Sequence, residues 1–236
     1  MTTLTSETGE NATPPTPAAT VILIKDGRQG LETLLLHRTP GRDPFAGAWV
    51  FPGGAVESAD GPVPPGMSWP LSARRAAVRE LREETGLRLA PETLVPFAQW
   101  TSPPTMPRRF HTWFFVAGAP KGSIRLNRQE VDAHRWVAPR RVMTDHRAQA
   151  MTLFPPTWVS LYELVGARSA GGVLEAYARR APAVFAPRVG RWRDDLCFFY
   201  QEDAAYADLD AERCGPRHRL RVRADGWVYI RDGRRD

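Results

Sequence analysis

The run Arg79-Glu80-Leu81-Arg82-Glu83-Glu84-Thr85-Gly86-Leu87 constrains this chain more than any other stretch. On a helix of 3.6 residues per turn, Glu80, Glu83 and Glu84 share one flank. Helical surfaces gain by alternating charge sign, yet this one gathers like charges. Two carboxylates 4 Å apart repel by roughly 4 kcal/mol at an effective dielectric of 20. A divalent cation between them turns that repulsion into attraction. The cluster therefore reads as a Mg²⁺ or Mn²⁺ site, because these hard ions take oxygen ligands and engage substrate phosphates.

The surrounding pattern supports a helix over 73–85. Ser72 is the expected cap, with Pro70 ahead of it. Ala73, Ala77, Val78 and Leu81 form the apolar stripe, and Gly86 supplies the left-handed exit. One flank is apolar and the other acidic, which anchors the acids against a rigid layer.

Strands are expected at 20–25 and 31–37, joined through Asp26-Gly30, and at 49–51, 94–100, 110–117 and 131–137. Helices are expected at 157–165 and 171–180, and further strands at 196–200, 220–222 and 227–230. Residues 58–69 read as an irregular surface loop rich in proline and glycine. The mixture implies a layered α/β domain. Its expected extent is 20–165, following a disordered segment 1–19 and preceding a C-terminal extension 166–236 that packs on or near it.

Composition narrows the classes. With 42% hydrophobic and 10% aromatic residues, the chain has material for a core. No apolar run reaches membrane-spanning length and no signal-peptide pattern opens the sequence, so a cytoplasmic protein without a membrane partner is expected. Two cysteines, Cys197 and Cys214, suit a reducing compartment. A net charge of +6 favours polyanions, small phosphate compounds as readily as nucleic acid. The small molecule is the favoured partner. Oligomeric state stays open, a homodimer included. Arg213, Arg217, Arg219, Arg221 and Arg223 in the tail read as a solvated flank. His37 reads as a strand-end or pocket residue, and Trp100, Trp113, Trp136 and Trp158 as core or pocket walls.

These residues resemble the Nudix hydrolase signature, G-x5-E-x7-R-E-U-x-E-E-x-G-U with U bulky and apolar. Its second half matches at Arg79, Glu80, Leu81, Glu83, Glu84, Gly86 and Leu87. The first half departs. Gly54 is the opening glycine, but the stretch to Arg79 is 11 residues longer than the signature allows. For the first glutamate, Asp60 has the right offset from Gly54, Glu57 is nearer the turn, and counting back from Arg79 reaches Leu71. The insertion, Phe51-Pro52-Gly53-Gly54 and Pro107-Arg108-Arg109-Phe110 are similar to the branch that contains the peroxisomal coenzyme A diphosphatase of mammals.

The resemblance implies an α/β/α sandwich around a mixed sheet, and hydrolysis of a nucleoside diphosphate linked to another group. It makes Glu80, Glu83, Glu84 and the Gly53 carbonyl the metal ligands. Arg79 becomes the group that orients a glutamate. Glu130, ahead of the strand carrying Trp136, is the expected further acid, with Asp132 as the alternative. Glu84 or Glu130 is the expected proton acceptor for the attacking water. Arg38, Arg42, Arg108 and Arg109 are the candidates for gripping phosphates. Coenzyme A, ADP-ribose and other nucleotide conjugates all fit. The contrasting reading is a nucleotide- or RNA-binding module that kept the fold and lost catalysis.

Overall fold

The computed structural model describes residues 14–28, 30–41 and 45–232. Strands β1 (Thr16–Gly27) and β2 (Gly30–Arg38) form a hairpin, followed by β3 (Trp49–Val50) and β4 (Gly53–Ala55). A 3₁₀ turn at Ser58–Asp60 and an irregular stretch lead into helix α1 (Leu71–Thr85). Then come β5 (Val95–Thr101), β6 (Phe110–Gly118), β7 (Val131–Val137), α2 (Pro139–Arg147), α3 (Pro155–Leu164) and α4 (Ala170–Arg179). Five strands close the chain: β8 (Ala183–Phe185), β9 (Arg188–Trp192), β10 (Asp195–Phe199), β11 (His218–Val222) and β12 (Val228–Arg231).

The first sheet runs β3-β2-β1-β6-β5-β8, with β4 paired to β1 and β7 to β2. It is mixed: β1 lies parallel to β6 and β5 to β8, whereas the other pairings are antiparallel. The middle of β1, Val21 to Ile24, is a continuous apolar run because both faces are covered there. Val21 and Leu23 pack with Ala73, Ala77 and Leu81 of α1 on one side. Ile22 and Ile24 pack on the other, with Val142 of α2, Trp158 of α3 and Tyr177 of α4. This is the α/β sandwich that the pattern implies.

Three sequence expectations are corrected here. The expected domain start at residue 20 is too late: residues 16–19 already belong to β1, in parallel register with Phe110–Trp113 of β6, and residues 18 and 19 also pair with β4 on the other edge. Ser72 does not cap α1: the helix starts at Leu71 with Pro70 in the cap position, and Ser72 is buried. The arginines of the tail are not uniformly solvated either. Arg219 is fully buried, with both nitrogens of its fork on Asp203 at 2.7 and 2.6 Å and its plane over Phe199.

The second sheet, β12-β11-β10-β9, is antiparallel. Its Leu220 and Tyr229, and Tyr200 just past β10, share one core with Trp100 and Phe114 of the first sheet, and Trp100 stacks on Phe185 at 4.0 Å. The extension thus completes the core. Among the described residues, no helix is long and apolar enough to cross a membrane.

Candidate metal and phosphate site

Helix α1 ends where Gly86 turns left-handed at φ 73° and its N–H closes onto the Arg82 carbonyl. The last turn leaves carbonyls without helical partners. The β6–β7 connection fills them: Arg125 N–H donates to Thr85 O and Asn127 N–H to Glu84 O. From that anchor Glu130 N–H returns to Asn127 O, and Thr39 N–H at the end of β2 takes the Glu130 carbonyl. These bonds hang Glu130 over the acidic flank of α1. Carboxylate oxygens of Glu80, Glu84 and Glu130 come within 4.8 Å of one another.

Strand β4 supplies the opposite wall. Its pairing with β1 sets Gly53 opposite Thr20 and Gly54 opposite Ala19. The Gly53 N–H donates to Glu84 Oε2 at 3.0 Å. A Cβ on Gly53 falls 2.4 Å from the Ala19 carbonyl oxygen, and one on Gly54 falls 2.4 Å from Glu80 Oε1. Both glycines are needed for close approach, the first to backbone and the second to a carboxylate.

Glu84 is 1% exposed, and its Oε1 has no hydrogen-bond donor among the described residues, with Arg38 Nη1 3.9 Å away. Burial pushes its pKa up to about 8, against the pull of the Gly53 amide and Arg38, and Glu80 and Glu130 add to the rise. Burial also raises the Glu80 carboxyl, opposed by Arg79. An orphaned buried oxygen facing two further carboxylates suits a hard divalent cation, and oxygen-only donors suit Mg²⁺ or Mn²⁺. The residues present fit that group.

Arg79 is the hub of the flank. It donates to both oxygens of Asp60, to Glu80 Oε1 at 2.9 Å, to Glu83 Oε2 at 3.0 Å and to the Ala55 carbonyl at 2.9 Å. Asp60 is buried and also accepts the Glu57 N–H. Burial alone raises its pKa, but the Arg79 and Glu57 hydrogen bonds bring it below the usual value. Counting forward from Gly54 therefore reaches the acid that meets Arg79, since the extra residues all lie between Asp60 and α1. Leu71, reached by counting back, is the exposed first residue of the helix, and Glu57 is exposed.

Of the remaining candidates, Glu83 is half exposed and turned to Arg79, outside the cluster of three acids. Asp132 binds His37 Nδ1 at 2.6 Å, and that ring packs on Trp49. Arg108 lies over Phe110 and Arg109 donates to the Ser102 carbonyl, both at the N-terminal end of β6. Arg42 lies outside the described residues. The buried Asp203–Arg219 pair lies outside the sequence expectations; the arginine-rich tail is a signal, but the partner of Arg219 stands 16 residues upstream.

Residues 14–155 match the NUDIX domain family. The chain belongs to that family. The NUDIX hydrolase of Alicyclobacillus acidocaldarius has a crystal structure that aligns with a TM-score of 0.63 at 24% identity, over 72% of this chain and 99% of that one. The MutT NUDIX hydrolase of Burkholderia pseudomallei aligns more loosely, with a TM-score of 0.49 at 22% identity over 64% and 99% of the two chains. At these identities the likeness is one of fold. No curated protein shows significant sequence similarity to the chain. The NUDIX match ends at Pro155, so α4 and the whole second sheet lie outside it.

Proposed function

We propose that this NUDIX protein is a divalent-metal-dependent hydrolase that opens the diphosphate bond of a nucleoside diphosphate linked to another group. The reading rests on one observation: Glu80, Glu84 and Glu130 converge to within 4.8 Å, and a buried oxygen of Glu84 is left without a donor. At that spacing each pair of ionised acids repels by about 3 kcal/mol at an effective dielectric of 20, a cost the fold has no structural need to bear. These three acids would hold Mg²⁺ or Mn²⁺, which when bound polarises phosphoryl oxygens and acidifies water.

The chain's own residues supply the rest. Arg79 keeps Glu80 and Glu83 from rotating away, and Asp60 keeps Arg79 in place. Glu130, exposed at the rim, and Glu84, buried beneath, are the groups within reach of a proton leaving water on the phosphorus. Both belong to the same cluster of carboxylates, so the acceptor role is assigned to the cluster and not to one residue. Arg38 sits at the inner edge of the site. With Arg42, Arg108 and Arg109 it forms the proposed set of phosphate grips.

The proposed substrate is a nucleoside diphosphate conjugate, with coenzyme A, ADP-ribose and other nucleotide conjugates as the candidates; the insertion and the Phe51-Pro52-Gly53-Gly54 element favour coenzyme A. The test is phosphate-monoester release from such a panel with Mg²⁺ or Mn²⁺, with products identified by mass spectrometry. Glu84→Gln should abolish turnover while keeping the circular dichroism spectrum. Inactivity of the wild type toward every conjugate with either metal rejects the proposal. A non-catalytic binding module is the less favoured reading, because Glu130 completes the acidic group with Glu80 and Glu84.

A further inference from the structure

The inserted residues do more than lengthen the signature. After Asp60 the chain runs across the α1 face of the first sheet, and the Ser68 carbonyl accepts two hydrogen bonds there. One comes from Trp113 Nε1 at 2.6 Å and one from Gln99 Nε2 at 2.7 Å. Trp69 packs edge-on against Phe115. Thus the insertion is fastened to β5 and β6 by side chains that project from the sheet. Alternation along the strands puts Pro17, Gln99, His111 and Trp113 on the same sheet face as Ala19, the face that Leu81 of α1 packs against.

Between this fastened segment and the sheet lies a cavity of about 400 Å³, within the range of small-molecule sites. Its walls are prolines of β1 and the insertion, Met67, and the rings of His111 and Trp113. Among the described residues, its lining includes no lysine, arginine, aspartate or glutamate. A phosphate has nothing to hold it there. A flat, uncharged, partly polar group does: proline and aromatic walls give contact area, and the Gln99 carbonyl oxygen accepts no bond among the described residues. His111 is engaged by Thr101 at Nδ1, and burial keeps its ring neutral.

The cavity adjoins the acidic group along β1. Pro17 in its wall takes the Val56 N–H, and two residues on, roughly 7 Å at the rise of a strand, Ala19 pairs with Gly54 against Glu80. We propose that this cavity is the pocket for the nucleobase of the substrate, and that the insertion inside the signature exists to form its outer wall. The proposal rests on the reading that the acidic group opens a nucleotide-linked diphosphate. The base sits under the 63–68 segment, and the diphosphate reaches back along β4 toward Glu80.

Binding of AMP, GMP, CMP and UMP by calorimetry, without metal and without turnover, tests the pocket independently of catalysis, with ribose 5-phosphate as the base-free comparison. Met67→Asp places a charge in an exposed part of the wall, and Gln99→Leu removes, at near-constant size, both the free acceptor and the bond from Gln99 Nε2 to the Ser68 carbonyl that fastens the wall. In each folded variant, affinity for the preferred nucleotide relative to ribose 5-phosphate should fall about 10-fold or more, the scale of one lost pocket contact. Unchanged ratios in both variants, or no preference of the wild type for any of the four nucleotides over ribose 5-phosphate, overturns the pocket. Nucleotide binding weakened by these variants in a wild type that hydrolyses nothing upholds the pocket and rejects only the catalytic reading.

Discussion

Replacing Gly54 by alanine separates stability from function at this site. The backbone there suits any L-residue, so the added methyl is opposed only by what it meets. It meets the Glu80 carboxylate, 2.4 Å from Oε1 and 2.5 Å from the carboxyl carbon, whereas ordinary contact begins at 3.4 Å. The carboxylate must retreat by about 1 Å. It is the mobile end of a long side chain, so the fold loses little beyond the Arg79–Glu80 hydrogen bond, about 1 kcal/mol and a melting point lower by roughly 2–4 °C. Catalysis is less forgiving: a 1 Å displacement of a positioned group costs about 10²-fold, near 2.7 kcal/mol in the barrier. Calorimetric titration with Mn²⁺ and steady-state hydrolysis should both show the loss, with thermal melts nearly unchanged. Wild-type turnover and metal affinity in Gly54→Ala would refute the idea that this glycine seats Glu80. Gly53→Ala is the contrast, because its methyl meets the Ala19 backbone oxygen at 2.4 Å and should destabilise the β1–β4 pairing itself.

Asp60→Ala strands Arg79 and loosens Glu80 and Glu83 together; urea titration should show a loss of about 3 kcal/mol, and activity should fall in parallel. Glu84 is raised from 4.5 to about 8, so the folded state holds its proton and the group's contribution to stability declines as pH climbs between those values. Metal-free Glu84→Gln should therefore be at least as stable as wild type near pH 8, and Mn²⁺ should raise the melting point of wild type only. Asp203 behaves oppositely. Burial raises its pKa, yet the Arg219 pair and the Ala205 and His218 amides bring it below 3.8, so its contribution is complete above that value and lost as pH falls through the lower folded value. Asp203→Asn should cost about 3–5 kcal/mol at neutral pH in denaturant melts, and the gap from wild type should close in strong acid.

Much of the site was legible because its spacing is helical and local. Glu80, Glu83 and Glu84 on one flank and the apolar stripe follow from helical period, the exit follows from the freedom of Gly86, and the alternation of strands and helices gives a layered α/β domain, with the sandwich implied by the family resemblance. Where an expectation rests on one residue's neighbours, the structure departs from it. Ser72 had a capping side chain but lies one residue inside the helix, and α2, β8 and β9 were absent from the sequence reading. Helix α2 begins at a proline and carries Arg140 and Arg141 beside its apolar residues, while β8 and β9 are short segments among prolines and arginines.

The sequence by itself determined the chemistry: acids that repel unless a cation joins them, set on a helix whose other side is apolar. Only the tertiary structure decided which acids meet. Asp60 reaches Arg79 across 19 positions because a 3₁₀ turn folds the chain back before the insertion departs. Glu130 reaches Glu84 because the β6–β7 connection satisfies the last carbonyls of α1. Glu83, equal to its neighbours in the pattern, is drawn instead to Arg79. The Asp60 and Glu130 placements depend on backbone hydrogen bonds closed over long stretches of chain, whereas Glu83 and Arg79 meet as a local i,i+4 pair on the helix.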